Sequence, residues 1–424
     1  MRIVIIAPGS RGDVEPYVAL GKGLQEAGHV VRLVTHQDFE NLVQSHGLTF
    51  YPVEGSVQDI AQSTEMSGLL ERGNFLAIIK QMAKEAEKGA IRLAEVGLAA
   101  CQGMEVILAG IGGIFIGFAL AEKLDLPLLQ AYYIPLTPTR EFPSFLLPRL
   151  PSWLGGGFNR LSFHLGRQIM WQGFRSADRR ARKEVLGLLA APLLGPYTSK
   201  RVVQYPILYG YSPAVIPPPA DWDEHIHVSG YWFLDPSEDW TPPTDLVRFL
   251  EAGPTPVYVG FGSMSNQNPG ETTKLVLEAL ECANQRAVLL SGWGGLRTTD
   301  LPDTVYQVDS VPFGWLFPRM LAVVHHGGAG TTAAGLRAGV PSIVVPFFGD
   351  QAYWGQRVAT LGVGPKPIPR KKLTVERLAS AIQEAVRNQS IRDRAADLGA
   401  VIRAEDGVAE AVAVVGEIER KVAG

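Results

Sequence analysis

Cysteine is nearly absent from this chain of 424 residues. Cys101 and Cys282 lie far apart and form no CxxC pair, which excludes a disulfide framework and a thiolate metal site and suits a reducing compartment. Excess charge is missing too: 39 Lys and Arg against 42 Asp and Glu leave −3, too little to draw nucleic acid or an anionic membrane through a long-range field. The short basic clusters 179–183 and 370–372 read as solvated faces. Long hydrophobic runs do not occur. The apolar stretch 111–121 falls well short of the roughly 20 residues that a bilayer span needs, and the N-terminal apolar run is too short for a signal peptide. The expectation is a cytoplasmic protein with no nucleic-acid partner, no stable membrane insertion and at most a transient contact with a membrane surface.

What is present is ordinary for a compact α/β chain, 46% hydrophobic and 19% charged, and the length suggests more than one domain. Residues 2–7 read as a buried strand, followed by the loop Pro8-Gly9-Ser10-Arg11-Gly12-Asp13, a helix over about 15–27 and a strand over 30–35. Short buried strands follow at 106–109 and 128–131, separated by a helix around 115–123. Over 135–174 proline, glycine and aromatic residues replace this alternation, and no clean βα unit is expected there. The proline-rich stretch 215–243 reads as an interdomain linker. The alternation then restarts, with strands at 256–261, 287–291, 305–308, 321–325 and 342–346 and helices at 271–283, 331–338 and 353–361. The expected fold is α/β: two Rossmann-like domains, 1–214 and 244–400, with a helix at 401–424 that would pack back on the first.

Open parallel sheets hold ligands beyond the carboxyl ends of their strands, where loops run into helix N-termini. The loop His325-His326-Gly327-Gly328-Ala329-Gly330-Thr331-Thr332 has that position. Its glycines let backbone amides approach a phosphate, the helix start adds unpaired N–H groups, and Thr331 and His325 can donate further. A diphosphate suits it, although a tight turn with His325 satisfying a buried carbonyl reads equally from this loop alone. In Phe347-Phe348-Gly349-Asp350-Gln351 a carboxylate beside a carboxamide suits sugar hydroxyls, while Asp350 could equally cap the next helix.

Together, His325 through Gln351 resemble the donor-binding signature of glycosyltransferase family 1, in the sterol glucosyltransferase-like and glycopeptide-antibiotic branches. GSRGDVEPYVALGKGLQEAGHVVRLVTH at the start, YVGFGSM at 258–264 and VPFGWLFPR at 311–319 agree with it. The resemblance implies the B-type fold, two facing Rossmann-like domains with a cleft between them. It also implies a nucleotide-sugar donor, UDP-glucose first and dTDP-sugars as the alternative, an apolar small-molecule acceptor, and no cofactor beyond the donor co-substrate. His325, Gly327, Gly328, Ala329, Gly330 and Thr331 would hold the diphosphate and Asp350 and Gln351 the sugar. Ser310, Val311 and Pro312 would lie at the base, and Gly262, Ser263, Ser10, Arg11 and Gly12 would approach the donor. Plant relatives carry a tryptophan at the base that is absent here; Trp293 is the substitute, with ordinary core packing as its alternative.

Transfer to an alcohol needs a base on the acceptor side. Asp13 stands where related transferases place theirs, and its position before Val-Glu-Pro also fits a helix N-cap, two roles that are compatible. A histidine–aspartate dyad is not expected, because no histidine precedes His29 and strand 106–109 carries no acid. Direct deprotonation by Asp13 with inversion at the anomeric carbon follows as the expectation. Asp221-Trp222-Asp223 has the DxD pattern of metal-dependent transferases but lies in the proline-rich stretch, so no metal is assigned. Phe142, Phe145, Leu146, Trp153 and Met170 would line an acceptor cleft for a sterol, triterpenoid, phenolic or polyketide, or simply pack the first domain or touch a membrane surface. A nicotinamide oxidoreductase is disfavoured, since the first loop is not GxGxxG and strand 30–35 ends in Thr-His without an acidic ribose ligand. A non-catalytic sugar-nucleotide-binding protein and a retaining enzyme of the same fold stay open.

Overall fold

The computed structural model of the chain describes all residues except 57, 58, 60–62, 64, 65, 67, 70–74, 148–154, 237–239, 263–268, 292–300 and 424. It divides into two compact units: Met1–Val57, Leu76–Leu234 and Glu405–Gly424 form one, Gln58–Phe75 and Asp235–Ala404 the other.

In the first unit the strands are β1 Arg2–Ile6, β2 Val30–His36, β3 Thr49–Val53, β4 Val106–Ala109, β5 Leu128–Tyr132, β6 Ile207–Tyr209 and β7 Ile226–Val228. They run parallel in the order β3-β2-β1-β4-β5-β6-β7. Apolar side chains on both faces of β1 and β4, without alternation, are what a sheet covered on both sides requires, and Ile3–Ile6 and Val106–Ala109 are accordingly buried. The order reverses between β1 and β4, so the loops beyond their carboxyl ends meet. A Cβ on Gly112 would collide with the Pro8 carbonyl and one on Gly113 with that of Ile6, so only glycine allows this contact.

The helices of this unit include α1 Arg11–Glu26, α2 Phe75–Ala100, α3 Ile114–Leu124 and α4 Gly155–Arg180. α1 begins four residues earlier than expected. The N-cap is Ser10 and not Asp13, which stands three residues on at the third helical position, and Pro16 lies inside the helix. The stretch expected to lack a βα unit contains the whole first part of α4, 26 residues long. Within 215–243, β7 extends the first sheet beside β6, and the chain leaves this unit only after Leu234.

The second unit has β8 Val257–Gly260, β9 Ala287–Leu290, β10 Val305–Val308, β11 Val323–His325 and β12 Ser342–Val344, all parallel in the order β10-β9-β8-β11-β12. Around it lie α5 Pro269–Ala283, α6 Ala329–Ala338, α7 Gln351–Leu361, α8 Val375–Arg387 and α9 Gln389–Ala404. Successive residues of β8 feed opposite cores: Val257 and Val259 pack with Leu280, Leu289 and Ile382, and Tyr258 with Val288, Leu316 and Phe317.

The last helix, α10 Gly407–Ala423, returns to the first unit and packs on α1. Gly23 makes this possible, because a Cβ there would collide with Val408. Gly→Ala in a helix ordinarily stabilises by about 1 kcal/mol. Here Gly23→Ala should instead destabilise by about 1–3 kcal/mol through overpacking, and Val408→Ala in the same chain should recover most of the loss. Denaturant unfolding of the three variants checks this; a stabilised single variant would contradict the close approach.

Candidate active site

Asp13 occupies the third position of α1, just beyond β1 at the reversal of strand order. The Ser10 backbone N–H and hydroxyl both donate to its Oδ2, each at 2.7 Å, and the Tyr133 hydroxyl donates to its Oδ1. Gly9 lacks a side chain for a reason: a Cβ there would stand 2.5–2.7 Å from the Asp13 side chain. The carboxylate also sits in the first turn of a 16-residue helix, where the dipole favours negative charge. An ionised carboxylate offers about four lone-pair sites, and three are taken by these donors. A fourth is open among the described residues.

Tyr133 was not singled out from the sequence. Its signal was available, since it follows β5 directly, at the carboxyl end of a central strand. Tyr17, one helical turn beyond Asp13, stands edge-on to Tyr133 at 6.5 Å and donates to the Ala131 carbonyl at 2.7 Å. Burial, then the Asp13 charge, drive the Tyr17 pKa far above the usual phenol range, so it remains a neutral prop. His36 at the end of β2 was also passed over. Burial lowers its pKa against the pull of the Gly55 backbone, Asp38 and Asp13, which places a neutral imidazole within reach of the Asp13 charge. In the first turn of α1, Arg11 pairs with Glu15 at 2.9 Å, and a Cβ on Gly12 would meet nothing within 4 Å.

The expected acceptor residues divide. Phe142 meets Phe163 edge-on at 6.1 Å, Leu146 lies over Gly166 of α4, and the Ser144 N–H donates to Ser162 Oγ at 2.8 Å, so this loop is seated on α4. Phe142, Phe145, Leu146 and Met170 keep partial exposure, whereas Phe163 and Trp171 from the same stretch are core. Trp153 lies outside the described residues. In the DxD pattern, Asp221 accepts from Thr139 Oγ1 at 2.6 Å and the Arg140 N–H at 2.9 Å. Desolvation opposes its charge, but these bonds together hold its pKa below the usual carboxylate value. Trp222 stacks on Tyr209 at 5.0 Å. The motif fastens two loops of the first unit.

In the second unit the strand order reverses between β8 and β11, and the glycine loop follows β11. Gly328 is the N-cap and α6 already begins at Ala329, two residues before the expected start. Its first intrahelical bond is the Thr332 N–H to the Gly328 carbonyl, 2.9 Å. The N–H groups of Ala329, Gly330 and Thr331 precede it and have no acceptor among the described residues. Gly327 has φ +90, and a Cβ there would press on Val344 and the Gln351 carbonyl. Gly330, by contrast, is exposed and a Cβ on it would meet nothing within 4 Å.

His325 is fully buried. Its Nδ1 accepts from the Gly327 N–H at 3.1 Å, which places the proton on Nε2, and Nε2 has no partner among the described residues. Burial, then His326, lower its pKa to about 3; burial alone lowers that of His326 to about 4. Both are neutral imidazoles at physiological pH. His326 is lodged beside Gly262 and Gly328, where added Cβ atoms would crowd its ring.

Beyond β12, Gln351 is buried and its Oε1 accepts from the Phe347 and Phe348 N–H groups at 2.8 and 3.2 Å. Its carbonyl oxygen thereby shapes the loop expected to bind sugar. Asp350 stands at the N-cap of α7 without a side-chain capping bond; its Oδ2 accepts from Trp354 Nε1 at 2.8 Å. Val311 is core, Ser310 is exposed, and Pro312 starts the short helix Phe313–Leu316. The loops beyond β9 and β10 are tied by Ser291 Oγ to Asp309 Oδ1 at 2.5 Å, a link not foreseen. Ser263 and Trp293 lie outside the described residues.

Residues 3–143 match the glycosyltransferase family 28 N-terminal domain, and residues 288–418 the C-terminal domain of the erythromycin biosynthesis protein CIII-like type. A sterol 3-beta-glucosyltransferase of Neosartorya fischeri is 40% identical over 427 residues, covering 97% of this chain and 29% of the relative. One of Cryptococcus neoformans var. neoformans is 36% identical over 439 residues, covering 97% and 27%. The chain thus spans less than a third of the length of these curated relatives. Among solved structures, the kitacinnamycin glycosyltransferase superposes with a TM-score of 0.70 at 20% identity, covering 98% of both chains. The glycosyltransferase VinC in complex with dTDP gives 0.67 at 20% identity, covering 99% of this chain and 100% of its own. The chain belongs to the glycosyltransferases of the two-domain B-type fold, with a family 28 N-terminal domain followed by an EryCIII-like C-terminal domain.

Proposed function

We propose that the chain is an inverting glycosyltransferase that moves a hexose, glucose first, from a uridine diphosphate sugar to a hydroxyl of an apolar acceptor of the sterol type. The observation that carries the reading is the start of α6: three backbone N–H groups without acceptors among the described residues, beneath a glycine that internal packing does not require. The sterol 3-beta-glucosyltransferase relatives support the choice of sugar and acceptor. Solved neighbours holding thymidine diphosphates make dTDP-sugars the second donor to test.

The acceptor hydroxyl gives its proton to Asp13 as its oxygen attacks the anomeric carbon from the face opposite the diphosphate. The bond from that carbon to the phosphate oxygen breaks, its electron pair leaves with the diphosphate, and the configuration inverts. The α6 amides and the Nε2–H of neutral His325 meet the charge that develops on the leaving group. Asp350 serves the sugar hydroxyls, while Gln351 keeps the loop in shape.

Mass spectrometry of products from UDP-glucose and dTDP-glucose with sterol, triterpenoid and phenolic acceptors tests the reading. A β-linked sterol product from UDP-glucose is expected; binding of both nucleotides without any product would favour a non-catalytic protein. Asp13→Asn should keep the donor affinity and lower kcat by at least ~100-fold. Tyr133→Phe, which only loosens the base, should lower kcat by about 10-fold with KM little changed. Turnover of Asp13→Asn within a few-fold of the parent would remove Asp13 from the chemistry.

Gly330→Val should fold with a melting temperature close to the parent's, since its side chain enters open space. Its UDP affinity by calorimetry should fall by at least ~10-fold. Unchanged affinity in the folded variant would take the α6 start out of the donor site.

A further inference from the structure

The loop 187–196 presents apolar side chains to solvent in a group. Leu189, Leu193 and Leu194 are 88%, 61% and 56% exposed, where scattered single leucines would be unremarkable. The loop's backbone is nonetheless held firmly. Arg182 Nε donates to the Leu189 carbonyl at 2.8 Å, Trp171 Nε1 and Gln172 Nε2 to that of Leu193 at 3.0 and 2.8 Å, and Gln168 Nε2 to that of Leu194 at 2.7 Å. These donors draw the polar backbone toward α4 and leave the leucines outside. On α4 itself, Leu161 and Leu165 are 46% and 45% exposed, and their spacing from Gln168 and Gln172 puts them on the helix face that the loop lies against. One apolar stripe results.

Its frame is basic. Segment 155–204 carries nine Lys and Arg against two Asp and Glu, in a chain whose net charge is −3. Arg175 and Arg179 border Ala190 and Ala191 of the loop, and exposed Lys183 and Lys200 flank it in sequence. Of the nine, Arg182 is buried and pairs with Glu122 at 2.6 Å and Arg201 pairs with Asp125 at 2.8 Å; of the two acids within the segment, Asp178 is buried and Glu184 pairs with Arg180 at 3.2 Å, which leaves Arg175, Arg179, Lys183 and Lys200 beside the stripe. The cluster 179–183, read from the sequence as a solvated face, thus borders the apolar stripe. A two-fold contact with a second copy would set this basic frame against itself.

We propose that this face docks on an anionic lipid bilayer, with the leucines entering the boundary between headgroups and acyl chains and the basic residues meeting the headgroup charge. The proposal goes beyond the reading of the active site and does not depend on turnover. Sedimentation of the full chain with vesicles of phosphatidylcholine, with and without about one third phosphatidylglycerol, tests it. Partition onto the anionic vesicles should be at least ~10-fold stronger and should weaken with added salt. The variant Leu189→Ser/Leu193→Ser/Leu194→Ser should lose at least ~10-fold of it, and so should Arg179→Glu/Lys183→Glu/Lys200→Glu. Both sets replace exposed side chains, so their melting temperatures should match the parent's. Equal partition onto both vesicle types, or parent-like binding by either folded variant, would overturn the proposal. So would self-association in light scattering that the leucine variant abolishes, which would assign the face to a second copy.

Discussion

A helix that begins just beyond a parallel strand leaves backbone N–H groups with no acceptor inside the helix, and something has to meet them. This chain faces that requirement at the strand-order reversal of both sheets and answers it in two ways. At α1 the answer is partly internal: the Asp13 N–H meets the Ser10 carbonyl, and the Asp13 carboxylate takes up the Ser10 N–H and hydroxyl. At α6 the first turn is Ala-Gly-Thr, side chains too short or too neutral to close it, and its N–H groups stay open among the described residues. One unit therefore carries a fixed anion at its helix start, and the other leaves open the N–H groups to which the proposed function assigns a mobile one.

That asymmetry organises the chemistry. A carboxylate held by three donors would lose little freedom when a further hydroxyl arrived, so capping and the proposed proton abstraction are not rival roles for Asp13. On the proposed donor side, two imidazoles kept neutral by burial mean that diphosphate binding there would rely on oriented dipoles and N–H groups without a full positive charge from these histidines. The same burial has a linked consequence. Unfolded histidines take up protons below about pH 6.5, which the folded ones refuse down to about 4 and about 3, so the stability they lend is present above that range and is lost as the pH falls through it.

Much of this was legible in the residues, and what was missed has a common cause. β4 was read at its observed bounds and β1, β5 and β11 to within one or two residues, because buried parallel strands are uninterrupted apolar runs. The starts of α1, α5, α6 and α7 were all placed two to four residues late. Their first turns are built largely of glycine, proline, small and polar residues, which propensity assigns to loop although they suit a helix start. β7, three residues inside a proline-rich stretch, and α4, rich in glycine and aromatics, were hidden by composition. Tyr133 and the Ser291–Asp309 link were missed because each depends on a partner more than fifteen residues away, which no local pattern reveals.

Charge shows the same limit of averages. A net −3 argues correctly that the whole molecule exerts little field at a distance, and the Debye length of about 8 Å in physiological salt makes distant charges count for still less. A surface in contact responds only to what lies within that length. Along 155–204 the basic residues are concentrated where an apolar loop is anchored by its carbonyls and its leucines are turned outward, an arrangement that folding alone does not reward. Burying those leucines against α4 would have gained free energy on the order of 1.5–3 kcal/mol each. A chain that spends four side-chain hydrogen bonds holding the loop in place and still leaves them exposed is stabilised by whatever else covers them, and the charge around them selects a negatively charged surface.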